Sequence, residues 1–191
     1  MLRERLRRET AEAHRRLEDG LGLAAEDLTL GRYRGILEGF YTFLRPWEDR
    51  VEAAVGDPAF TAPRRRAHLL AEDLAHLGVD RQHLAALPDC PGLPRIEGPA
   101  QAMGSLYVLE GSTLGGQVVA RHVEQRLGLS DGQGYAFFNG HGRATGALWR
   151  GFLERLAAFS APERDDAVVA AARDTFGALE RWLCGNRGWT T

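Results

Sequence analysis

The chain has 191 residues, an apolar fraction of 44%, a charged fraction of 26% and a net charge of -2. That length buries a core without metal or disulfide staples. The near-balanced charge, spread along the chain, excludes the basic face that nucleic-acid binding needs. No apolar run reaches the roughly 18 residues of a membrane span, and the charged start, Met1 to Arg8, lacks the apolar stretch of a secretory signal. All 24 cationic side chains are arginine, so any anion held by side-chain charge is held by forked guanidinium groups. Cys90 and Cys184 belong to no CxxC or Cys/His cluster. Reduced thiols in a cytoplasmic protein are expected rather than a zinc site or a disulfide framework.

Leu2, Leu6, Ala13 and Leu17 share one stripe at helical spacing, which predicts a first amphipathic helix from Leu2 to about Leu17, ended by Gly20 and Gly22. A second helix follows Thr29 and Gly31. Tyr33, Ile36, Leu37, Phe40, Phe43 and Leu44 carry its apolar face, and Pro46 predicts a kink before Trp47, Val51 and Val55. Asp57 to Pro63 reads as a turn and the triplet Arg64-Arg65-Arg66 as a solvated loop. Leu69, Leu70, Leu74 and Leu77 mark a third helix closed by Gly78, and Asp80 to Leu87 a short one. Four prolines and two glycines make Pro88 to Pro99 a loop. Ala100 to Leu127 is the fourth major helix. Gly128 to Gly134 is a turn region, Phe137 to Gly142 is irregular, and Thr145 to Ala158 and Ala161 to Leu183 are the last two helices. With no strand-like alternation and no internal repeat, the economical architecture is all-α, a single-domain helical bundle over 1–191.

The fourth helix carries the run Leu106-Tyr107-Val108-Leu109-Glu110-Gly111-Ser112-Thr113-Leu114-Gly115-Gly116-Gln117. Each glycine there weakens a helix by roughly 1 kcal/mol relative to alanine. Gly104, Gly111 and Gly115 project within about 40° of one another, which bares the backbone along one face. Tight helix packing explains such spacing, a loop between two shorter helices is an alternative, and so is a flat ligand laid against the groove.

Of the six histidines, His68, His76, His83, His122 and His141 form no HxxxH or HExxH pair and read as solvated, packing, rim or loop residues. His14 sits at the edge of the first helix's apolar stripe. Arg7 lies one heptad earlier, within about 20° of the same face and about 10 Å along the axis. One helix thus offers an imidazole for a metal and a cation for a carboxylate at that separation, although the pattern alone favours an ordinary boundary histidine.

Three stretches together resemble the haem oxygenase family, in particular its bacterial biliverdin-producing members. Leu6-Arg7-Arg8-Glu9-Thr10-Ala11-Glu12-Ala13-His14 is similar to the family's proximal helix. Leu106 to Gln117 is similar to its distal helix. Gly134-Tyr135-Ala136-Phe137-Phe138, followed by Leu148-Trp149-Arg150, is similar to the segment leading into a propionate-binding helix. The likeness runs over nearly the whole chain in the family's order.

The resemblance implies a haem-oxygenase-like bundle with haem between the first helix and a glycine-kinked distal helix. It makes His14 the iron ligand. Gly111, Gly115 and Gly116 become the distal wall, and Arg7 and Arg150 the propionate anchors with Tyr107 at the same rim. Many family members carry an aspartate after the first distal glycine to organise proton-delivering water. Here Ser112 occupies that position, and a serine holds water without supplying a carboxylate's proton chemistry. The implied reaction cleaves haem to biliverdin, iron and carbon monoxide with O2 and external electrons. The donor would be a ferredoxin, a flavodoxin-type protein or a reductase, and relatives of this type supply biliverdin to a phytochrome. A haem carrier or sensor without turnover is the alternative that Ser112 supports; a thiamine-degrading enzyme on the same fold is a third.

Overall fold

The computed structural model describes residues 1–130 and 132–185, so the last positions of the domain expected over 1–191 lie outside the described residues. The described residues form helices and no strand. The first helix, α1 (Leu2–Leu21), runs past Leu17 and ends where Gly22 takes a left-handed φ of 59°. Gly20 stays inside it. A Cβ there would stand 2.6 Å from Cys184 Sγ, so Gly20 permits a close approach and does not terminate the helix.

Helix α2 (Leu30–Val55) is capped by Thr29, whose hydroxyl accepts from Arg32 N at 3.2 Å. Pro46 lies within it without ending it. Proline has no N–H for the Thr42 carbonyl four residues back, and the Cys90 N–H donates to that carbonyl instead, at 3.0 Å. Arg45 donates to Asp89 at 2.9 Å and to the Leu87 carbonyl at 3.2 Å. The proline-rich loop is therefore fastened to α2 where the proline left an acceptor free.

Asp57 to Pro63 is one helical turn, α3 (Pro58–Thr61), capped by Asp57 and followed by a 3-10 turn (Ala62–Arg64). The arginine triplet is not solvated as expected. Arg66 is 3% exposed and Arg64 9%, because each guanidinium finds backbone carbonyls from remote segments. Helix α4 (Ala67–His76) begins where the Arg66 and Ala67 amides donate to the buried Glu48 carboxylate of α2, at 2.6 and 3.0 Å. Then come α5 (Arg81–Ala86), α6 (Pro99–Leu127), α7 (Thr145–Phe159) and α8 (Pro162–Gly185).

Helix α8 is the spine against which α1 and α6 both pack. At the centre, Trp47 Nε1–H donates to Ser105 Oγ at 2.7 Å, and Ser105 Oγ lies 2.8 Å from Thr175 Oγ1. That fully enclosed chain joins α2, α6 and α8 and leaves no buried hydroxyl without a partner. Helix α6 is unbroken through its glycines, which rules out the loop alternative. Its N-terminal half meets α8 backbone to backbone: a Cβ on Gly104 would fall 2.1 Å from the Val168 carbonyl oxygen.

Residues 134–140 support α6 from behind. The Asp73 carboxylate accepts from the Ala136 and Phe137 amides, both at 2.8 Å, and the Tyr33 hydroxyl donates to the Gly134 carbonyl at 2.8 Å. The Phe138 carbonyl oxygen then lies 2.2 Å from where a Gly116 Cβ would be.

These contacts separate the glycines energetically. Gly104→Ala and Gly116→Ala each force a carbonyl aside and should lose about 1–3 kcal/mol in urea unfolding. Gly115 has nothing within 4 Å of a built Cβ, so Gly115→Ala should gain up to about 1 kcal/mol from helix propensity alone. Equal effects at all three positions would contradict this division.

Candidate functional site

Helices α1 and α6 both pack along α8 and scarcely touch each other. The face of α6 bearing Tyr107, Gly111, Leu114, Gly115 and Val118 spans about 100° of the helix. Its later part is uncovered: Leu114 is 51% exposed and Val118 69%, while Gly115 has open space above it. Exposed large aliphatics beside bare backbone form an apolar strip that lacks a partner within the chain. The near end of the strip is closed. The Trp149 ring lies 3.7 Å from a built Gly111 Cβ, packs against Tyr107 at 5.9 Å between centroids, and stacks on Phe152 at 5.5 Å.

On α1, the His14 side chain is 52% exposed. The ring leans on Phe176 of α8, 5.6 Å between centroids, and its Nε2 lies 3.2 Å from the Glu18 carboxylate one turn on. The charges of Arg3 and Arg7 reach Tyr107: burial pushes its phenol up, and those two arginines pull it back down. The N-terminal half of α1 therefore stands near the Tyr107 end of the strip. Neither Arg3, Arg7 nor Arg150 has a carboxylate partner among the described residues.

The expected site residues divide accordingly. Gly111, Gly115 and Tyr107 share the strip, and His14 and Arg7 share the facing helix. Arg150 is exposed beside Trp149 on α7. Ser112 is exposed at the strip's edge, where its hydroxyl donates to the Leu109 carbonyl at 2.8 Å and keeps its lone pairs free to accept. Gly116 is not brought to the strip; it lies under the Phe138 carbonyl. Sequence reasoning missed Glu18, Phe176, Arg3 and Trp149. Glu18 was within reach as the carboxylate four residues after His14.

Behind the strip lies a buried charge cluster that the sequence did not suggest. Glu110, 3% exposed, has Arg64 Nε 3.5 Å from Oε2. Burial pushes its carboxyl up, while Arg66 and Arg64 pull it down. Arg64 Nε makes no hydrogen bond, and neither does the buried Nε2 of His141.

Burial, with Arg66, Arg64 and His68 adding repulsion, pushes the His141 imidazole from 6.5 down to about 4. Between those values the unfolded chain takes up a proton that the folded chain refuses, so stability falls as the pH drops through that window. His141→Gln should flatten this fall when urea unfolding at pH 7 and pH 5 is compared. An identical slope in the variant would remove His141 as its source.

The family model described as heme oxygenase matches residues 1–184. A heme oxygenase of Xanthomonas campestris pv. campestris is 35% identical over 145 residues, covering 74% of this chain and 79% of that protein. Among solved structures, heme oxygenase from Leptospira interrogans aligns with a TM-score of 0.79 at 19% identity, covering 96% of this chain and 98% of that one. Heme oxygenase-1 from the cyanobacterium Synechocystis in complex with heme aligns at 0.80 and 16% identity, covering 98% and 92%. The NO- and CO-bound heme oxygenase from Neisseria meningitidis aligns at 0.73 and 20% identity, covering 96% and 92%. The chain belongs to the heme oxygenase family.

Proposed function

We propose that the chain opens haem oxidatively to biliverdin, releasing iron and carbon monoxide, with the macrocycle held between His14 and the Gly111–Gly115 strip. One observation carries this reading: α6 leaves an apolar strip uncovered at Leu114, Gly115 and Val118, while α1, whose Arg3 and Arg7 charges reach Tyr107 on that helix, carries a half-exposed imidazole. Haem needs a flat apolar slot, an axial nitrogen and cations for its two carboxylates, and these residues fit all three. Haem is the substrate and, when bound, also the group that activates oxygen.

His14 would hold the haem iron through an imidazole nitrogen, with the Glu18 carboxylate 3.2 Å from its Nε2. Arg7 and Arg3, near Tyr107, receive the propionates, and Arg150 beside Trp149 is a further anchor. Gly115 lets backbone come against the macrocycle where any side chain would intrude, and Gly111, under Trp149, marks the closed end of the strip. Ser112 accepts a hydrogen bond from water at the strip's edge, its own hydrogen being committed to Leu109. It holds that water without acting as the acid, so protons come from solvent through the held water. Electrons come from a separate ferredoxin, flavodoxin-type protein or reductase, and a phytochrome is a fitting acceptor for the product.

Aerobic incubation of the haem-loaded protein with ascorbate tests the reaction. The Soret band should fall as a biliverdin spectrum rises; a persistent Soret band would identify a haem carrier or sensor instead. His14→Ala should weaken haem binding by at least about tenfold and abolish the imidazole-ligated ferric spectrum. An unchanged spectrum in that variant would rule out His14 as the ligand.

A further inference from the structure

Three glycines between positions 111 and 116 leave α6 with little side-chain packing to hold its course. Apart from Thr113, buried against Gly140, the contacts that locate this stretch come from its two ends. At the far end, Gly116 is pressed under the Phe138 carbonyl. At the near end, two buried arginines grip the helix. Arg66 Nη2 donates to the Leu109 carbonyl at 2.7 Å, and the Arg64 guanidinium faces Glu110 at 3.5 Å.

Arg64 also reaches the wall that closes the strip. Its Nη2 donates to the Leu148 carbonyl of α7 at 3.0 Å, its Nη1 to the Phe60 carbonyl at 2.6 Å, and its guanidinium lies 3.8 Å from the Phe60 ring centroid. Leu148 immediately precedes Trp149, and Glu110 immediately precedes Gly111. One guanidinium thus sits behind both residues that meet at the closed end. Two of its donors are hydrogen-bonded to carbonyls and fix the guanidinium plane, so that its Nε, which makes no hydrogen bond, is held facing Glu110 as an ion pair.

The geometry points to Arg64 as a positioning residue for haem cleavage: by tying Glu110 on α6 to the Leu148 carbonyl on α7, it sets the gap between Gly111 and Trp149. That gap fixes how far the macrocycle enters and which of its edges is presented to oxygen. Arg64 touches no substrate and acts through Trp149 and Gly111. This inference rests on the haem reading of the strip.

The test compares wild type with Arg64→Met/Glu110→Gln, which removes the fork together with its carboxylate while Arg66 keeps the Leu109 carbonyl and the charge of Glu48, and with Arg64→Lys, which keeps the charge. In the haem-free protein, acrylamide quenching of the emission that Trp149→Phe removes should rise at least about twofold in the double variant, with Arg64→Lys between. In the haem-loaded protein, the double variant should keep the His14-ligated ferric spectrum and a KM within about threefold of wild type. Its kcat should fall about tenfold or more, because small misplacements of bound substrate act on the chemical step, and the product should divide among biliverdin isomers. Should the double variant not fold, Arg64→Lys alone gives the same readouts in smaller measure. A Trp149 as shielded as in wild type overturns the positioning role whatever the haem chemistry, and so does an unchanged kcat with one unchanged isomer. Wild type that binds no haem, with Trp149 nonetheless loosened in the variant, overturns the functional reading and leaves only the Arg64 contact.

Discussion

Everything at the site depends on the absence of side chains along α6. At Gly104 and Gly116 that absence is filled by the Val168 and Phe138 carbonyls, each nearer than any real Cβ would allow. At Gly111 a Trp149 ring occupies the space loosely, and at Gly115 nothing does. A helix with several glycines forgoes roughly 1 kcal/mol at each. Packing recovers that at the two filled positions, and only there. The open stretch keeps its penalty, as expected of a surface whose partner is a ligand rather than another helix.

Charge is distributed around this helix with the same asymmetry. Behind it, Arg64 and Arg66 are stripped of water and satisfied by backbone carbonyls and by Glu110, an arrangement that is costly to break because it would leave a buried charge alone. In front, Arg3 and Arg7 remain in solvent near Tyr107, with no carboxylate among the described residues to neutralise them. Buried arginines fix geometry, and exposed ones stay free to meet an incoming anion.

Helical periodicity made the bundle legible, and most boundaries fell within a few residues because the helix ends carry local signals such as Thr29, Asp80 and Gly78. The misreadings share one physical cause. Gly20 reads as a terminator until Cys184 is seen against it, and the arginine triplet reads as solvated until Leu109 and Leu148 turn their carbonyls toward it. In each case the deciding partner lies far along the chain. The candidate site residues His14 and the glycine run stand out in the sequence for a different reason, because they are local motifs. Gly115 and Gly116 nevertheless face different surroundings, which only the tertiary arrangement separates.

A crystal structure of the haem-loaded protein tests the central claim most directly. The expected result is iron on the His14 imidazole, the macrocycle flat against Gly111 and Gly115, and the propionates toward Arg7 and Tyr107. Haem bound at another face, or on another histidine with the α6 strip still uncovered, would contradict it.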